Sequence, residues 1–157
     1  MVLIVLLAAT LVFRLLGALG VARFTTWRVS AAHGLAVMLV MTASAHFVPA
    51  GVTFMPNHAD MVAMVPSFVP FPALVVHLTG VLELAGAAGL VLERTRGLAG
   101  VCLALLFVAL LPANVHAALA GQEVTPLWQR VPEQALYIAI ALWQRGVRVG
   151  ELAPTRS

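Results

Sequence analysis

Apolar residues run along this chain in five long blocks, with most of the charged positions gathered between them. The blocks cover residues 2–22, 30–49, 72–92, 97–120 and 131–146. About 20 residues at a helical rise of about 1.5 Å match a hydrocarbon layer of ~30 Å, so each block predicts a membrane-crossing helix. The last is short, with Gln134 and Trp143 bracketing its apolar centre; Trp128 and Trp143 suit the two interfaces. Residues 50–71 break the pattern, because Pro49, Pro56, Pro66, Pro70 and Pro72 forbid a continuous helix. Within them Asn57 is a fair N-cap, Asp60 follows three residues on, and Met61, Val62, Met64 and Val65 supply an apolar side. That predicts a short amphipathic helix at the membrane surface, or dipping in as an outer lid; the plainer alternative is a hydrophobic loop plugging the bundle end.

The polar residues inside the blocks are the candidates for chemistry. Glu83 falls near the middle of residues 72–92, with His77, Thr79 and Gly80 on the same block. A carboxylate at that depth costs several kcal/mol unless it is paired, hydrogen-bonded or protonated. Counting inward from the outer ends places Glu83 at about 15 Å and Arg14 at about 18 Å, which suggests an ion pair between them. Glu83 is then either a proton-linked or ligand-binding carboxylate, or a structural group held by Arg14 or by a hydrogen bond while protonated. His77, Gly80 and Glu83 step about 60° apart around a helix, so one cavity could see all three, Gly80 leaving room for a close helix or a ligand. His46, His77 and His116 count to the outer third of their helices, beneath the lid. With one histidine per helix and no H-x-x-x-H or C-x-x-C cluster, no metal site is expected, and hydrogen bonds between helices are the better reading. Asn114 and His116 project about 200° apart and should not share a cavity unless Pro112 distorts the turn. His33 reads as an interfacial residue and Cys102 as a small packing residue.

Composition turns these blocks into a class. The chain is 62% hydrophobic and 10% charged, against about 45–50% apolar and about 25% charged in soluble domains. An all-α, polytopic membrane helical bundle follows, in a chain too short for more than one. All nine basic residues are arginines, and apart from Arg14 they sit at or beyond block ends without forming a patch, so the net charge of +3 is no nucleic-acid footprint. A single cysteine excludes an internal disulfide or a thiol relay. With five spans, Arg23, Arg28, Arg94, Arg96, Arg145, Arg148 and Arg156 share one side and Arg130 takes the other. The positive-inside rule then predicts a cell-membrane protein with its N-terminus outside and its C-terminus cytoplasmic. Gly20-Val21-Ala22 resembles a signal-peptide cleavage site, but the preceding run lacks a positive start and contains Arg14, so a retained helix is expected.

The runs HFVP at 46–49, MVPSFVPFPALVVHLTGVLELAGAAGLVLERTR at 64–96, PANVHAAL at 112–119 and LWQRVPEQALYIAIALW at 127–143 resemble the DoxX/DoxX-like membrane protein family. The likeness covers residues 32–144 and implies a four-helix core, residues 30–146 with the lid at 50–71. An extra N-terminal helix and linker, residues 1–29, would precede it, and a cytoplasmic tail, residues 147–157, would follow. The motif positions carried over are His46, Pro66, Gly80, Glu83, Pro112 and Asn114. By resemblance the chain would be a quinone-linked or redox-associated membrane subunit, binding a small lipophilic ligand near Glu83. His77, Gly80, Asn114, His46 and His116 are the further candidates for binding or proton exchange. Quinone is the one cofactor implied, and the partners implied are the lipid bilayer, a membrane or redox protein, and a second copy of the chain in a homo-oligomer. The cysteine pairs of vitamin K epoxide reductases, whose bundle the family resembles, are missing. A non-enzymatic scaffold, assembly factor or chaperone is the alternative.

Overall fold

Runs of Leu, Ala and Val favour helix along most of the chain, and caps, prolines and arginines decide where each helix stops. The computed structural model describes residues 1–121 and 126–146. These form six α-helices: α1 Val2–Ala18, α2 Trp27–Ser44, α3 His58–Ala63, α4 Pro72–Val91, α5 Arg96–Leu119 and α6 Leu127–Trp143. A 3₁₀ turn, Ala22–Phe24, joins α1 to α2, and no strand occurs among the described residues. Thr26 caps α2 by accepting from the Val29 N–H. Asn57 and Asp60 form a reciprocal capping box that starts α3, as the sequence predicts. Pro72 occupies the first turn of α4, where its missing N–H leaves no bond unmade. At the other end of α4, Arg96 donates to the carbonyls of Leu90 and Val91, and Arg23 to that of Val91, so cations meet the negative end of the helix dipole.

Four helices close a ring: α2 packs on α4 and α6, and α5 packs on α4 and α6. Helix α1 lies on α2, and α3 on α4. Along α4 the inward positions Val76, Gly80, Glu83, Ala87 and Leu90 recur every three or four residues, the period of one helix face. They meet a core that includes Leu35, Leu39, Leu103 and Phe107. Where α5 crosses α6, a Cβ on Gly100 would lie 2.1 Å from the Ala141 carbonyl oxygen, so the two backbones touch there.

Neighbouring helices run antiparallel, which sorts the charges. Gly97 faces Arg145, Gly146 meets the Arg28 guanidinium, and Arg23 reaches Val91. Arg23, Arg28, Arg96 and Arg145 therefore gather at one end, with Arg94 in the α4–α5 turn, while Arg130 bonds Asn114 at the other. The surface inverts that of a soluble protein: Leu98 and Leu105 are 70% and 66% exposed, whereas Glu83 and Gln144 are 6% and 4% exposed. Helices α4 and α5 are each long and apolar enough to cross a membrane; α1 is apolar but shorter, at 17 residues. Residues 147–157, with Arg148 and Arg156, and residues 122–125, with Glu123, lie outside the described residues.

Candidate functional site

Helix α4 brings Glu83 inward one turn beyond Gly80, and α2 ends beside it. The Glu83 carboxylate oxygen Oε2 lies 3.1 Å from the Thr42 hydroxyl, and Oε1 lies 3.6 Å from His46 Nε2. Gly80 explains how His46 comes so near: a Cβ there would stand 2.6 Å from the His46 Cβ and 3.0 Å from the Phe47 ring. The His46 ring is held from its other side. Its Nδ1 donates to the Val76 carbonyl at 2.7 Å and lies 3.3 Å from the Thr79 hydroxyl, which itself donates to Val76.

That bond fixes the proton inventory. A carbonyl only accepts, so Nδ1 carries a hydrogen and Nε2 is the nitrogen turned to Glu83. One proton then has two homes, Nε2 or the carboxyl group. Thr42 suits both arrangements, since its hydroxyl reaches Leu39's carbonyl at 3.2 Å as well as Glu83. It can donate to a carboxylate, or accept from a carboxylic acid while donating to Leu39. Glu83 keeps its bond to Thr42 either way, which eases the cost of holding a carboxyl group in an apolar bundle.

Two histidines extend the cluster toward the lid. His58, at the start of α3, donates from Nδ1 to the His46 carbonyl at 2.8 Å. Its ring lies 4.0 Å from that of His77, which also meets Phe47 edge-on at 5.9 Å. A separate polar patch joins α5 to α6. Arg130 donates to the Asn114 side-chain oxygen at 2.6 Å, the Asn114 amide faces Gln134 at 3.4 Å, and Gln134 donates to the Phe107 carbonyl at 2.7 Å. The last bond lies just before Pro112, whose missing N–H loosens the helix ladder.

Residues 35–145 match the family described as a domain of unknown function, DUF8561. The chain belongs to that family. The DUF8561 match begins inside α2, so α1 lies outside it, while Thr42, His46, Glu83, Asn114 and Arg130 lie within. No curated protein and no solved structure matches the chain.

Within the DUF8561 region the structure joins His46, Gly80 and Glu83, and separates the other candidates from them. The Arg14–Glu83 pair does not form. Thr10 packs on Gly34 and Arg14 lies over the Trp27 ring, 5.5 Å from its centroid. Trp27 is fifteen residues before Thr42, or about 22 Å of helix; equal depths counted from helix ends took no account of the α1–α2 register. His77, Gly80 and Glu83, expected to share a cavity, are set apart: His77 is exposed while Gly80 and Glu83 are buried. The His46 ring fills the space over Gly80. His116 lies at the outer end of α5 against the lid, where it lines a groove with Pro66, Phe68 and Pro112, but it does not join the His46–His58–His77 group. Asn114 faces α6, as the 200° separation from His116 implies. His33 is buried against Phe13 and Phe24 rather than interfacial, and Cys102 is exposed rather than packed. Thr42 and His58 are the residues missed as partners. The i, i+4 spacing of Thr42 and His46 was the available signal for the first; for His58 the lid gave none beyond its position after the Asn57 cap.

Proposed function

We propose that this DUF8561 chain is a multi-pass membrane protein of DoxX-like architecture, serving as a non-enzymatic accessory subunit that assembles with another membrane protein, a redox enzyme by resemblance. The arginine end is cytoplasmic by the positive-inside rule, which puts the start of α1 outside and the end of α6 inside. Exposed leucines on α4 and α5 around buried Glu83, Gln134 and Gln144 support the membrane setting. The observation that carries the accessory role is the closure of the polar cluster. Thr42 and His46 satisfy Glu83 from within the chain, and the His46 ring occupies the room that Gly80 provides. The His46 ring takes the space over Gly80 that a ligand beside Glu83 would use, so no redox step is assigned there. Glu83 and His46 instead pin α4 to the end of α2, a use of buried polar groups that favours one packing over its alternatives.

One observation favours a second reading, a proton-exchanging site: a carboxyl group and an imidazole face each other 3.6 Å apart inside the bundle, and Thr42 can serve Glu83 as donor or as acceptor. Purification from native membranes in mild detergent separates the two. The accessory reading expects a stoichiometric membrane-protein partner that is retained in Glu83→Gln. Isolation of the chain alone with bound quinone, lost in Glu83→Gln, would contradict it and support the second reading.

A further inference from the structure

A groove of about 390 Å³ lies between α1, α2 and α4, with Phe13, His33, Val37, Val40, Leu84 and Val91 along its walls. Because α2 and α4 are antiparallel, it runs from His33 and Val91 near the arginine end to Val40 and Leu84. That is seven residues of each helix, or about 10 Å. Its walls are apolar, but its arginine end carries an unmet polar group. His33 is 5% exposed, its Nδ1 donates to the Val29 carbonyl at 2.8 Å, and its Nε2 is buried without a partner. With the hydrogen on Nδ1, Nε2 is a bare acceptor that calls for a donor. The same end is positive. Val91, a wall residue, has its carbonyl bonded by Arg23 and Arg96, and Arg23 is exposed.

An apolar trough, a cationic mouth and an unsatisfied acceptor together specify an amphiphile. An extended peptide segment would bring backbone polar groups that the trough cannot bond. We propose that the groove binds one acyl chain of an anionic phospholipid with a hydroxylated head group, its phosphate at Arg23 and a head hydroxyl donating to His33 Nε2. The inference rests on the membrane setting argued above and names the lipid that this face selects.

The test uses the full-length protein, delipidated in detergent and titrated with three lipids of identical chains while native mass spectrometry counts retained molecules. Phosphatidylglycerol is anionic and hydroxylated, phosphatidylmethanol is anionic without a head hydroxyl, and phosphatidylcholine has no net charge. The expected order is phosphatidylglycerol, then phosphatidylmethanol, then phosphatidylcholine, with about fivefold or more between first and last. His33→Phe should make the two anionic lipids equal, Arg23→Gln should weaken both, and Ala88→Phe, which fills the trough, should abolish retention. Equal retention of all three lipids by the unmodified protein, or of the two anionic ones, overturns the proposal without relying on any variant. Flotation with vesicles separates the failures: a chain that floats but shows no lipid preference refutes only the lipid site, and one that does not float refutes the membrane reading too.

Discussion

At the scale of single residues, Glu83 is the most demanding group in the molecule, because everything around it must keep it bonded. Glu83→Ala leaves the Thr42 hydroxyl and His46 Nε2 facing a void, and should cost about 3 kcal/mol of stability. Glu83→Gln retains a partner for Thr42 and should cost distinctly less; thermal unfolding in detergent would rank the two. Equal losses would show that the hydrogen bonds matter little and that volume alone is at stake. Gly80 is the matching steric position. A methyl group 2.6 Å from the His46 Cβ must push the ring, so Gly80→Ala should destabilise by about 1–3 kcal/mol. The effect should shrink when His46→Ala is made first, which a double-mutant cycle would read as coupling. Sequence alone marks Glu83 and Gly80 as special, because a carboxyl group and a glycine are conspicuous in an apolar block. It does not say that the space at Gly80 belongs to His46, since that depends on how the chain leaves α2 at His46, thirty-four residues earlier.

At the scale of elements, local signals were read with most success and registers between helices with least. The Asn57–Asp60 box starts α3 as expected, Asn57 closes the lid on itself through the Val52 carbonyl, and the His58 N–H ties α3 to the Val48 carbonyl in the chain leaving α2. Asn57→Ala should cost about 1 kcal/mol or somewhat more, and hydrogen exchange should rise in α3 before it rises in α4. Simultaneous loosening of both helices would contradict that local role. The α5–α6 contact is less forgiving, since the atom opposing Gly100 is a backbone oxygen rather than a side chain that can rotate. Gly100→Ala should therefore destabilise more than Gly80→Ala, with the difference visible in the same unfolding series. Arg14 shows why such contacts stayed out of reach. Its depth in α1 was countable, but α1 packs on α2, and the offset between them sends the guanidinium to Trp27 instead of Glu83. Cys102 was illegible for a simpler reason: in a block where both faces are apolar, nothing distinguishes the lipid side from the core.

At the scale of the whole molecule, the distribution of arginine is what the sequence made plainest. Arg23, Arg28, Arg96 and Arg145 are scattered along the chain, yet antiparallel packing collects them at one end. If that end is cytoplasmic, a reporter fused after residue 146 should act inside the cell and one fused before α1 outside; the opposite pattern would overturn the orientation. The inverted surface, leucine outside and carboxyl, amide and imidazole inside, supports the proposed membrane setting, in which the solvent facing the bundle is hydrocarbon. The deepest of those buried contacts, between Glu83 and His46, can be tested directly by ¹⁵N NMR of the histidine side chains in lipid bilayers, comparing the unmodified protein with Glu83→Gln. His46 should keep its hydrogen on Nδ1 in both proteins, while its Nε2 resonance shifts on substitution and that of His33 stays in place. A His46 Nε2 signal indifferent to Glu83→Gln, or a hydrogen absent from Nδ1, would show that the two side chains do not share a proton across the α2–α4 contact.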